Sequence, residues 1–357
     1  MRQLALLPFL LVLAGCIKGA VPPAPSPIVI AHRGASAERP EHTLEAYDLA
    51  IAQGADFIEP DLVMTRDGVL VARHENEIGG TTDVASRPEF ASRRTIRTIG
   101  GRQVSGWFTD DFTLAELKTL RARERLPALR PGSATLDGQF TIPTFAEVLA
   151  LAVARTRERG RPVGVYPELK HPSYFRAAGL PMERTLVATL AHFGLDRRSA
   201  PVFIQCFEVG PLQQLNRLTD VRLVQLLDSE GAPADRPELS YRSMATPAGL
   251  RAIARYADGV GPAKALILAR DASGRAAQPT RFVSDAHAAG LLVHPWTFRP
   301  ENAFLPADLR RGSEPGATGD LVTEIGRFLD LGVDGFFTDS TPAGVLAVQE
   351  RLRRSAR

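Results

Sequence analysis

The chain contains very little cysteine, with only Cys16 and Cys206 in 357 residues. After residue 13 it also lacks any apolar run long enough to cross a bilayer as a helix. Although the net charge is +3, there is no basic stripe with interleaved aromatic residues, so we predict no nucleic-acid partner. The remaining composition, 44% hydrophobic and 23% charged, is ordinary for a globular protein. This length accommodates one large barrel domain or two average domains.

The N-terminus carries the pattern of an export signal. Arg2 supplies a positive charge, and residues 4–13 form an apolar run that fits a signal-peptide core and is too short to span a membrane. The following Leu13-Ala14-Gly15-Cys16 resembles the lipobox of bacterial lipoproteins, in which the cysteine becomes the lipidated first residue. The alternatives are an ordinary cleaved signal and a plain apolar N-terminus. We predict a signal peptide over residues 1–15 and lipidation at Cys16.

The residues that follow the signal are predicted to form a tether. Residues 16–27 contain four prolines and few large apolar residues, a composition typical of an extended linker. The lipobox resemblance implies a location in the bacterial periplasm or cell envelope, anchored to the membrane by lipid, with the outer membrane as the expected site. A lipidated Cys16 leaves Cys206 without a disulfide partner. Cys206 lies in an apolar run, so we predict that it is a small buried hydrophobic residue.

From residue 28 onwards, short apolar runs alternate with stretches of helical periodicity. This alternation predicts a parallel sheet, and about eight βα units favour a (β/α)8, or TIM, barrel over an open sheet. We predict one barrel domain over residues 28–357. The predicted strands are residues 28–31, 57–64, 69–72, 163–169, 202–207, 223–227, 259–261, 291–297 and 333–338. The predicted helices are residues 43–53, 144–157, 183–192, 209–218, 247–256, 280–289, 319–331 and 341–352.

One stretch breaks this rhythm. Residues 75–142 are too many for a loop between a strand and a helix, and they are polar and rich in arginine. Thr113 and Glu116 have the spacing of a capping box, which predicts the start of a helix. We therefore expect an insertion, or a small lid subdomain, after the second strand.

Three carboxylates are predicted to meet at the barrel mouth. Active sites of such barrels lie at the C-terminal ends of the strands. Glu59 and Asp61 are two residues apart on one strand and point to the same side, and Glu168 lies on the neighbouring strand. Oxygen-rich ligation suits Ca²⁺ or Mg²⁺ better than zinc. The alternative is a buried salt-bridge network with Arg33 and Lys170 and no metal.

Two histidines flank this cluster. Because imidazole titrates near neutrality, His32 and His74 suit a general acid and base pair. Arg33 has the planar fork that holds two phosphate oxygens, and Lys170 would add a point charge. A plain ion pair with the carboxylates is the alternative for each of the two cations.

These residues occur in an order that resembles the glycerophosphodiester phosphodiesterases, and closest to their periplasmic branch. The resemblance spans nearly the whole chain after the tether. The matching segments are His32-Arg33-Gly34, Pro40-Glu41-His42-Thr43, Glu59-Pro60-Asp61, His74, Pro167-Glu168-Leu169-Lys170, Gln205-Cys206-Phe207, His294-Pro295-Trp296 and Thr338-Asp339.

The resemblance implies a TIM barrel and a set of roles. Metal ligation falls to Glu59, Asp61 and Glu168, acid and base catalysis to His32 and His74, and phosphate contacts to Arg33 and Lys170. Gln205 is expected to contact the substrate or its phosphate. Trp296 is expected either to stack on the glycerol carbons or to pack the barrel mouth.

The resemblance also implies an activity. Family members release sn-glycerol-3-phosphate and an alcohol from deacylated phospholipids such as glycerophosphocholine and glycerophosphoethanolamine. The nucleophile is either the 2-hydroxyl of glycerol or water, and the residues do not decide between them. Two other hypotheses remain: a barrel phosphodiesterase of the sphingomyelinase D or phosphoinositide phospholipase type, and a non-catalytic surface binding lipoprotein. A barrel amidohydrolase would need His-x-His on the first strand, where this chain has His32-Arg33-Gly34.

Overall fold

The computed structural model of the protein describes residues 26–355. The predicted signal peptide, Cys16 and all of the tether except its last two residues lie outside this range. Among the helices that fall inside it, none is long and apolar enough to cross a membrane.

The described chain contains a barrel of parallel strands with two additional hairpins. Its strands are β1 (Ile28–His32), β2 (Phe57–Glu59), β3 (Asp61–Met64), β4 (Leu70–Ala72), β5 (Thr95–Ile99), β6 (Arg102–Gly106), β7 (Gly164–Val165), β8 (Glu168–Leu169), β9 (Phe203–Cys206), β10 (Arg222–Leu227), β11 (Gly259–Pro262), β12 (Leu292–Val293) and β13 (Gly335–Thr338).

Eight strand positions surround the barrel axis. The order is β1, β2 with β3, β7 with β8, β9, β10, β11, β12 and β13, and neighbouring positions run parallel. β13 pairs with β1, and the amides of Asp334 and Phe337 donate to the carbonyls of Val293 and Pro295 beside them. These bonds close the circle, so the predicted (β/α)8 barrel is confirmed.

Helices surround the barrel and fill the loops at its two ends. They are α1 (Leu44–Ala52), α2 (Leu114–Leu117), α3 (Pro131–Ala134), α4 (Phe145–Arg159), α5 (Pro172–Ala177), α6 (Met182–His192), α7 (Val209–Leu215), α8 (Tyr241–Met244), α9 (Pro247–Ile253), α10 (Lys264–Ile267), α11 (Phe282–Ala288), α12 (Leu321–Asp330) and α13 (Thr341–Ser355). Short 3-10 turns cover Val84–Ser86, Pro88–Arg93, Thr109–Asp111, Asn302–Phe304 and Ala307–Leu309.

Two prolines divide strands that the hydrophobic pattern predicts as continuous. Pro60 separates β2 from β3, and Pro167 lies between β7 and β8. Proline has no amide hydrogen to donate to a neighbouring strand, so the ladder is interrupted there. The amides of Tyr166 and Glu168 still donate to the carbonyls of Ile58 and Pro60, and the two barrel positions stay adjacent. The strand predicted at residues 291–297 is likewise shorter, because only Leu292–Val293 has regular strand pairing.

Residues 75–142, the insertion segment, pack directly onto the barrel. The segment contains the antiparallel hairpin β5–β6, and the predicted capping box at Thr113 and Glu116 is confirmed. Its apolar side chains belong to the same continuous core as the barrel helices; they include Ile78, Phe90, Phe112, Leu117, Leu120 and Ile142. Shared packing of this kind holds the segment against the barrel mouth.

The loop after β1 requires glycine at residue 34. Gly34 has φ +86°, and a Cβ there would lie 2.6 Å from the carbonyl carbon of Ala46 in α1. Gly68 has a similar φ of +79°, but a Cβ there would meet nothing within 4 Å. Gly68→Ala is thus a control for the backbone conformation alone.

We expect Gly34→Ala to destabilise the fold more than Gly68→Ala. A positive φ costs alanine about 1–2 kcal/mol at either position. Overlap with α1 should add about 1–3 kcal/mol at residue 34 only. The free energies of unfolding of the two variants in urea measure the difference, and equal values would contradict the close approach of α1.

Candidate active site

The three predicted carboxylates converge at the mouth of the barrel. Glu59 ends β2, Asp61 begins β3 and Glu168 begins β8, with Asp61 and Glu168 paired in register. One oxygen from each carboxylate lies within 4.8 Å of the others, and all three side chains are buried. Pro60 kinks the chain between two of them, yet both still face the same point. The structure therefore brings the predicted ligand set together.

The electrostatics of this cluster are those of buried like charges. Burial, together with the charges of Asp61 and Glu168, raises the pKa of Glu59 well above its usual range. Burial also raises the pKa of Glu168, to about 8. Burial alone would raise the pKa of Asp61 too, but Lys170 and neighbouring histidines outweigh it and hold that pKa low. Three adjacent carboxyl groups cannot all ionise easily without a positive charge between them.

The oxygens of the cluster are suited to a hard divalent cation. Asp61 Oδ1 and Glu168 Oε1 are buried, and apart from the ammonium of Lys170 they have no polar partner. The three converging carboxylates offer more acceptor positions than one ammonium fills, and this remaining capacity fits a bound cation. Carboxylate oxygens are the donors that Ca²⁺ and Mg²⁺ favour.

Lys170 and Arg33 both contact this cluster. Lys170 Nζ lies 2.7 Å from Glu168 Oε1 and 3.3 Å from Asp61 Oδ1. Arg33 Nε lies 3.3 Å from Asp61 Oδ2, and its Nη1 donates to Glu41 at 3.0 Å. An ion-pair network without substrate would have the same contacts. The phosphate-binding roles of the two cations therefore stay predictions.

His32 is held by a carboxylate from the last barrel strand. Its Nδ1 lies 2.6 Å from Oδ1 of Asp339, which directly follows β13. Burial and the charge of Arg33 lower the pKa of His32 to about 4. Burial opposes ionisation of Asp339, but Arg130 and His32 reverse this effect and hold the pKa of Asp339 well below its usual range. An ionised Asp339 places the proton of neutral His32 on Nδ1 and leaves Nε2 able to accept one.

His74 has a similar carboxylate partner. Its Nδ1 makes a short hydrogen bond with Glu75, the next residue. Burial, with the charges of Arg33 and Lys170, lowers the pKa of His74 to about 3. Both predicted acid and base residues are thus neutral imidazoles near pH 7, each with a carboxylate at Nδ1.

The loop between β1 and α1 supports this arrangement from behind. His42 is fully buried, its Nε2 lies 2.9 Å from Asp61 Oδ2, and its Nδ1 lies 2.7 Å from the Tyr47 hydroxyl. The backbone at His42 has φ +56°. Arg73 donates to the carbonyls of Glu41 and His42 and so fixes the same loop. These contacts place His42 behind Asp61, one of the predicted ligands, as its support.

A cavity of about 560 Å³ lies over the site. Its lining includes eight of the nine residues predicted for catalysis, substrate binding or metal ligation: His32, Arg33, Glu59, His74, Glu168, Lys170, Gln205 and Trp296. The ninth, Asp61, lies beneath them. Gln205 Nε2 donates to Glu59 Oε1 at 3.2 Å. Trp296 donates to the carbonyl of Gly261 and meets Phe207 edge-on, so it packs the barrel mouth and also lines the cavity.

Sequence reasoning missed several residues that complete the site. Asp339 lies in a segment that matches the family, but no role was predicted for it. Its place at the end of a barrel strand indicates a position at the barrel mouth. Arg125 and Arg130 carried no signal, because they lie in the insertion segment, far along the chain from their partners. His294, which directly follows β12, is buried and hydrogen-bonded to Tyr166, outside the cavity lining.

A closed (β/α)8 barrel with a carboxylate cluster, two imidazoles and two cations at its mouth defines a barrel phosphodiesterase. The family model described as "Glycerophosphoryl diester phosphodiesterase family" matches residues 32–343. The chain belongs to the glycerophosphoryl diester phosphodiesterase family.

Individual relatives agree with this assignment. The chain is 37% identical over 328 residues to a glycerophosphodiester phosphodiesterase of Arabidopsis thaliana, covering 88% of this chain and 84% of the relative. It is 29% identical over 350 residues to a glycerophosphodiester phosphodiesterase of Haemophilus influenzae, covering 89% and 88%. The fold is similar to that of an Oleispira antarctica phosphodiesterase solved in complex with the product sn-glycerol-3-phosphate. That similarity has a TM-score of 0.60 at 19% identity and covers 91% of this chain and 97% of the other.

Proposed function

We propose that this protein hydrolyses glycerophosphodiesters, such as glycerophosphocholine and glycerophosphoethanolamine, to sn-glycerol-3-phosphate and an alcohol in a metal-dependent reaction. The observation that carries the proposal is the buried triad Glu59, Asp61 and Glu168, which lies beside His32 and His74 at one cavity. The names of the relatives and the product bound to the Oleispira antarctica enzyme support the choice of substrate.

Glu59, Asp61 and Glu168 would hold the cation, which we propose to be Ca²⁺ or Mg²⁺. The convergence of their buried oxygens, which the ammonium of Lys170 alone does not saturate, supports this assignment. A cation bound there supplies electrostatic stabilisation of the negative charge that develops on the phosphoryl group and on the attacking oxygen. Gln205 donates to Glu59 and thereby holds that ligand in place.

The remaining residues bind the diester and move protons. Arg33 and Lys170 attract the phosphate oxygens, and Trp296 offers an apolar surface to the glycerol carbons. One histidine, in its neutral form, accepts the proton of the attacking hydroxyl through Nε2 and becomes positively charged. The other must carry a proton on Nε2 when the diester is bound, and it gives that proton to the oxygen of the departing alcohol. The attacking hydroxyl is that of water or of glycerol C2. Asp339 and Glu75 keep the two imidazoles oriented and stabilise each of them when it carries a positive charge.

We expect the purified enzyme to release sn-glycerol-3-phosphate from glycerophosphocholine and to leave intact phosphatidylcholine uncleaved. The physical reason is access, because the carboxylate cluster is buried at a cavity of about 560 Å³, and an intact lipid would have to leave the bilayer to bring its phosphate there. A coupled assay for glycerol-3-phosphate measures the first activity, and choline release from vesicles measures the second. Faster cleavage of the intact lipid would favour a phospholipase or sphingomyelinase D type of enzyme instead.

We also propose that the protein is exported to the bacterial periplasm or cell envelope and anchored by lipid at Cys16. The support is sequence alone: a short apolar run followed by Leu13-Ala14-Gly15-Cys16 and a tether rich in proline.

Replacing Cys16 by serine should release the protein from the membrane fraction without lowering its activity. Serine cannot accept the thioether-linked lipid, whereas the barrel begins at Ile28, beyond the tether. Fractionation of exporting cells with and without high salt measures the change, and Cys206→Ser serves as the matched cysteine control. A Cys16→Ser protein that stays membrane-bound in high salt would show that the anchor lies elsewhere.

A further inference from the structure

Arg130 of the insertion segment is hydrogen-bonded to Asp339, the residue whose carboxylate contacts His32. Its Nη2 donates to Asp339 Oδ2 and its Nε to Glu301 Oε1, each at 2.5 Å. Its Nη1 donates to the carbonyl of Ser36 at 2.7 Å. All three nitrogens of the guanidinium are thus engaged, and the residue is buried.

Arg125 of the same segment has an equivalent position near His74. It donates to both oxygens of Glu41, at 2.8 and 2.6 Å, and to both oxygens of Glu75, at 3.0 and 2.7 Å. Glu75 in turn contacts His74 Nδ1, and Glu41 accepts from Arg33. The guanidinium of Arg125 therefore links Glu75, which contacts the predicted catalytic His74, to Glu41, which contacts the predicted phosphate-binding Arg33.

The two histidines are supported in the same way. Each presents Nδ1 to a carboxylate, and each carboxylate accepts hydrogen bonds from an arginine of the insertion segment. On Asp339 the histidine and the arginine contact different oxygens, whereas Arg125 contacts both oxygens of Glu75. A carboxylate can orient an imidazole only if the carboxylate itself is held in place. A planar guanidinium does this well, because its charge-assisted hydrogen bonds restrain both the position and the orientation of the carboxylate. Arg299 approaches Asp339 as well, at 3.2 Å, so the His32 side has additional support.

We propose that Arg125 and Arg130 are positioning residues through which the insertion segment orients His74 and His32 for proton transfer. This inference rests on the proposed function, because it assumes that the two histidines act in turnover. Arg130 acts on His32 alone. Arg125 acts on His74 through Glu75 and on Arg33 through Glu41.

The competing explanation is that both arginines only fasten the insertion segment to the barrel. The two explanations differ in kinetics. Fastening alone predicts a lower melting temperature with kcat unchanged in the folded protein. Positioning predicts a lower kcat in protein that is still folded, with KM changed only where Arg33 loses support.

The first experiment compares Arg125→Gln and Arg130→Gln with Arg93→Gln. Arg93 lies in the same segment and pairs with Glu116 away from the cavity, and its side chain is 28% exposed compared with 27% for Arg125. We expect kcat for glycerophosphocholine to fall about 10- to 100-fold in the first two variants. KM should rise only for Arg125→Gln, and Arg93→Gln should match the wild type. Melting temperatures establish that each protein is folded.

A second experiment asks whether each arginine acts through its histidine. In a His32→Ala background, Arg130→Gln should lower the residual kcat by less than about 3-fold, and Arg125→Gln should behave likewise in His74→Ala. Arg130→Lys covers the case in which Arg130→Gln does not fold, because it keeps the charge but loses the bidentate geometry. It should show an intermediate loss of kcat.

Three results would overturn the inference: a wild-type kcat in folded Arg125→Gln and Arg130→Lys, an equal loss in Arg93→Gln, or an undiminished loss in the histidine backgrounds. The wild-type enzyme, measured in the same assay, separates this failure from failure of the proposed function. A wild type that releases no glycerol-3-phosphate contradicts the function. An active wild type with unaffected arginine variants contradicts the positioning roles alone.

Discussion

Replacing His32 or His74 by alanine is expected to lower kcat by about 10²- to 10⁴-fold, the usual contribution of one proton-transfer group. Both imidazoles line the cavity beside the carboxylate cluster and have a carboxylate partner at Nδ1. Steady-state release of glycerol-3-phosphate measures the loss. Folding should be retained, because Asp339 keeps its contacts with Arg130 and Arg299 when His32 is removed, and the side chain of His74 is partly exposed. Melting temperature and cation binding should therefore stay near the wild-type values.

A substrate with an acidic leaving group separates the two roles. A nitrophenyl ester needs little protonation of its departing oxygen, so it should restore turnover in the variant that lacks the general acid. The variant that lacks the general base should stay inactive on the same ester. His287→Ala is a suitable control, because His287 lies on α11 and pairs with Asp334 outside the cavity lining. Near-wild-type turnover of a natural diester by either active-site variant would refute a mechanism based on two histidines.

Removal of divalent cations is expected to abolish activity, and Ca²⁺ or Mg²⁺ should restore it. The reason is the repulsion among Glu59, Asp61 and Glu168, whose oxygens lie within 4.8 Å of one another in a buried site. Binding should also stabilise the fold, by about 2.7 kcal/mol when the free cation is at 100 times its dissociation constant. Activity and melting temperature before and after chelation measure both effects.

A pair of variants tests whether this cluster is the site of binding. Asp61→Asn should lose both the activity and the rise in melting temperature caused by the cation. Asp110→Asn is the control, because Asp110 is also a carboxylate of low exposure but pairs with Arg97 in the insertion segment. This variant should still show the rise in melting temperature when the cation is added. Full activity in exhaustively chelated protein would contradict metal dependence.

The eight-stranded arrangement was predictable because its signals are local. Apolar runs and helical periodicity recur about eight times, and each is visible within a dozen residues. The prolines at residues 60 and 167 are also visible in the sequence. However, the interruption that they cause was not predicted, because the apolar runs around them have the pattern of continuous strands. The structure divides them into β2 with β3 and β7 with β8.

The first set of polar residues at the cavity was predictable for a similar reason. Parallel strands bring their C-terminal ends to one face of a barrel. Residues such as His32, Glu59 and Glu168 therefore meet once the strand positions are known. The family resemblance added the roles, and the structure added the distances. The assignment of acid, base and phosphate contacts still depends on the experiments above.

The sequence by itself determined the barrel, the family and the residues of the strand ends, because periodicity and strand order are properties of short segments. Only the tertiary structure decided what holds those residues in place. Arg125 meets Glu41 across 84 positions of sequence, and Arg130 meets Asp339 across 209. Arginine is common on surfaces, and the stretch from residue 75 to 142 contains many. Nothing in a local pattern distinguishes the two that turn inward, since their buried partners Glu41 and Asp339 lie in distant loops and become neighbours only when the barrel closes.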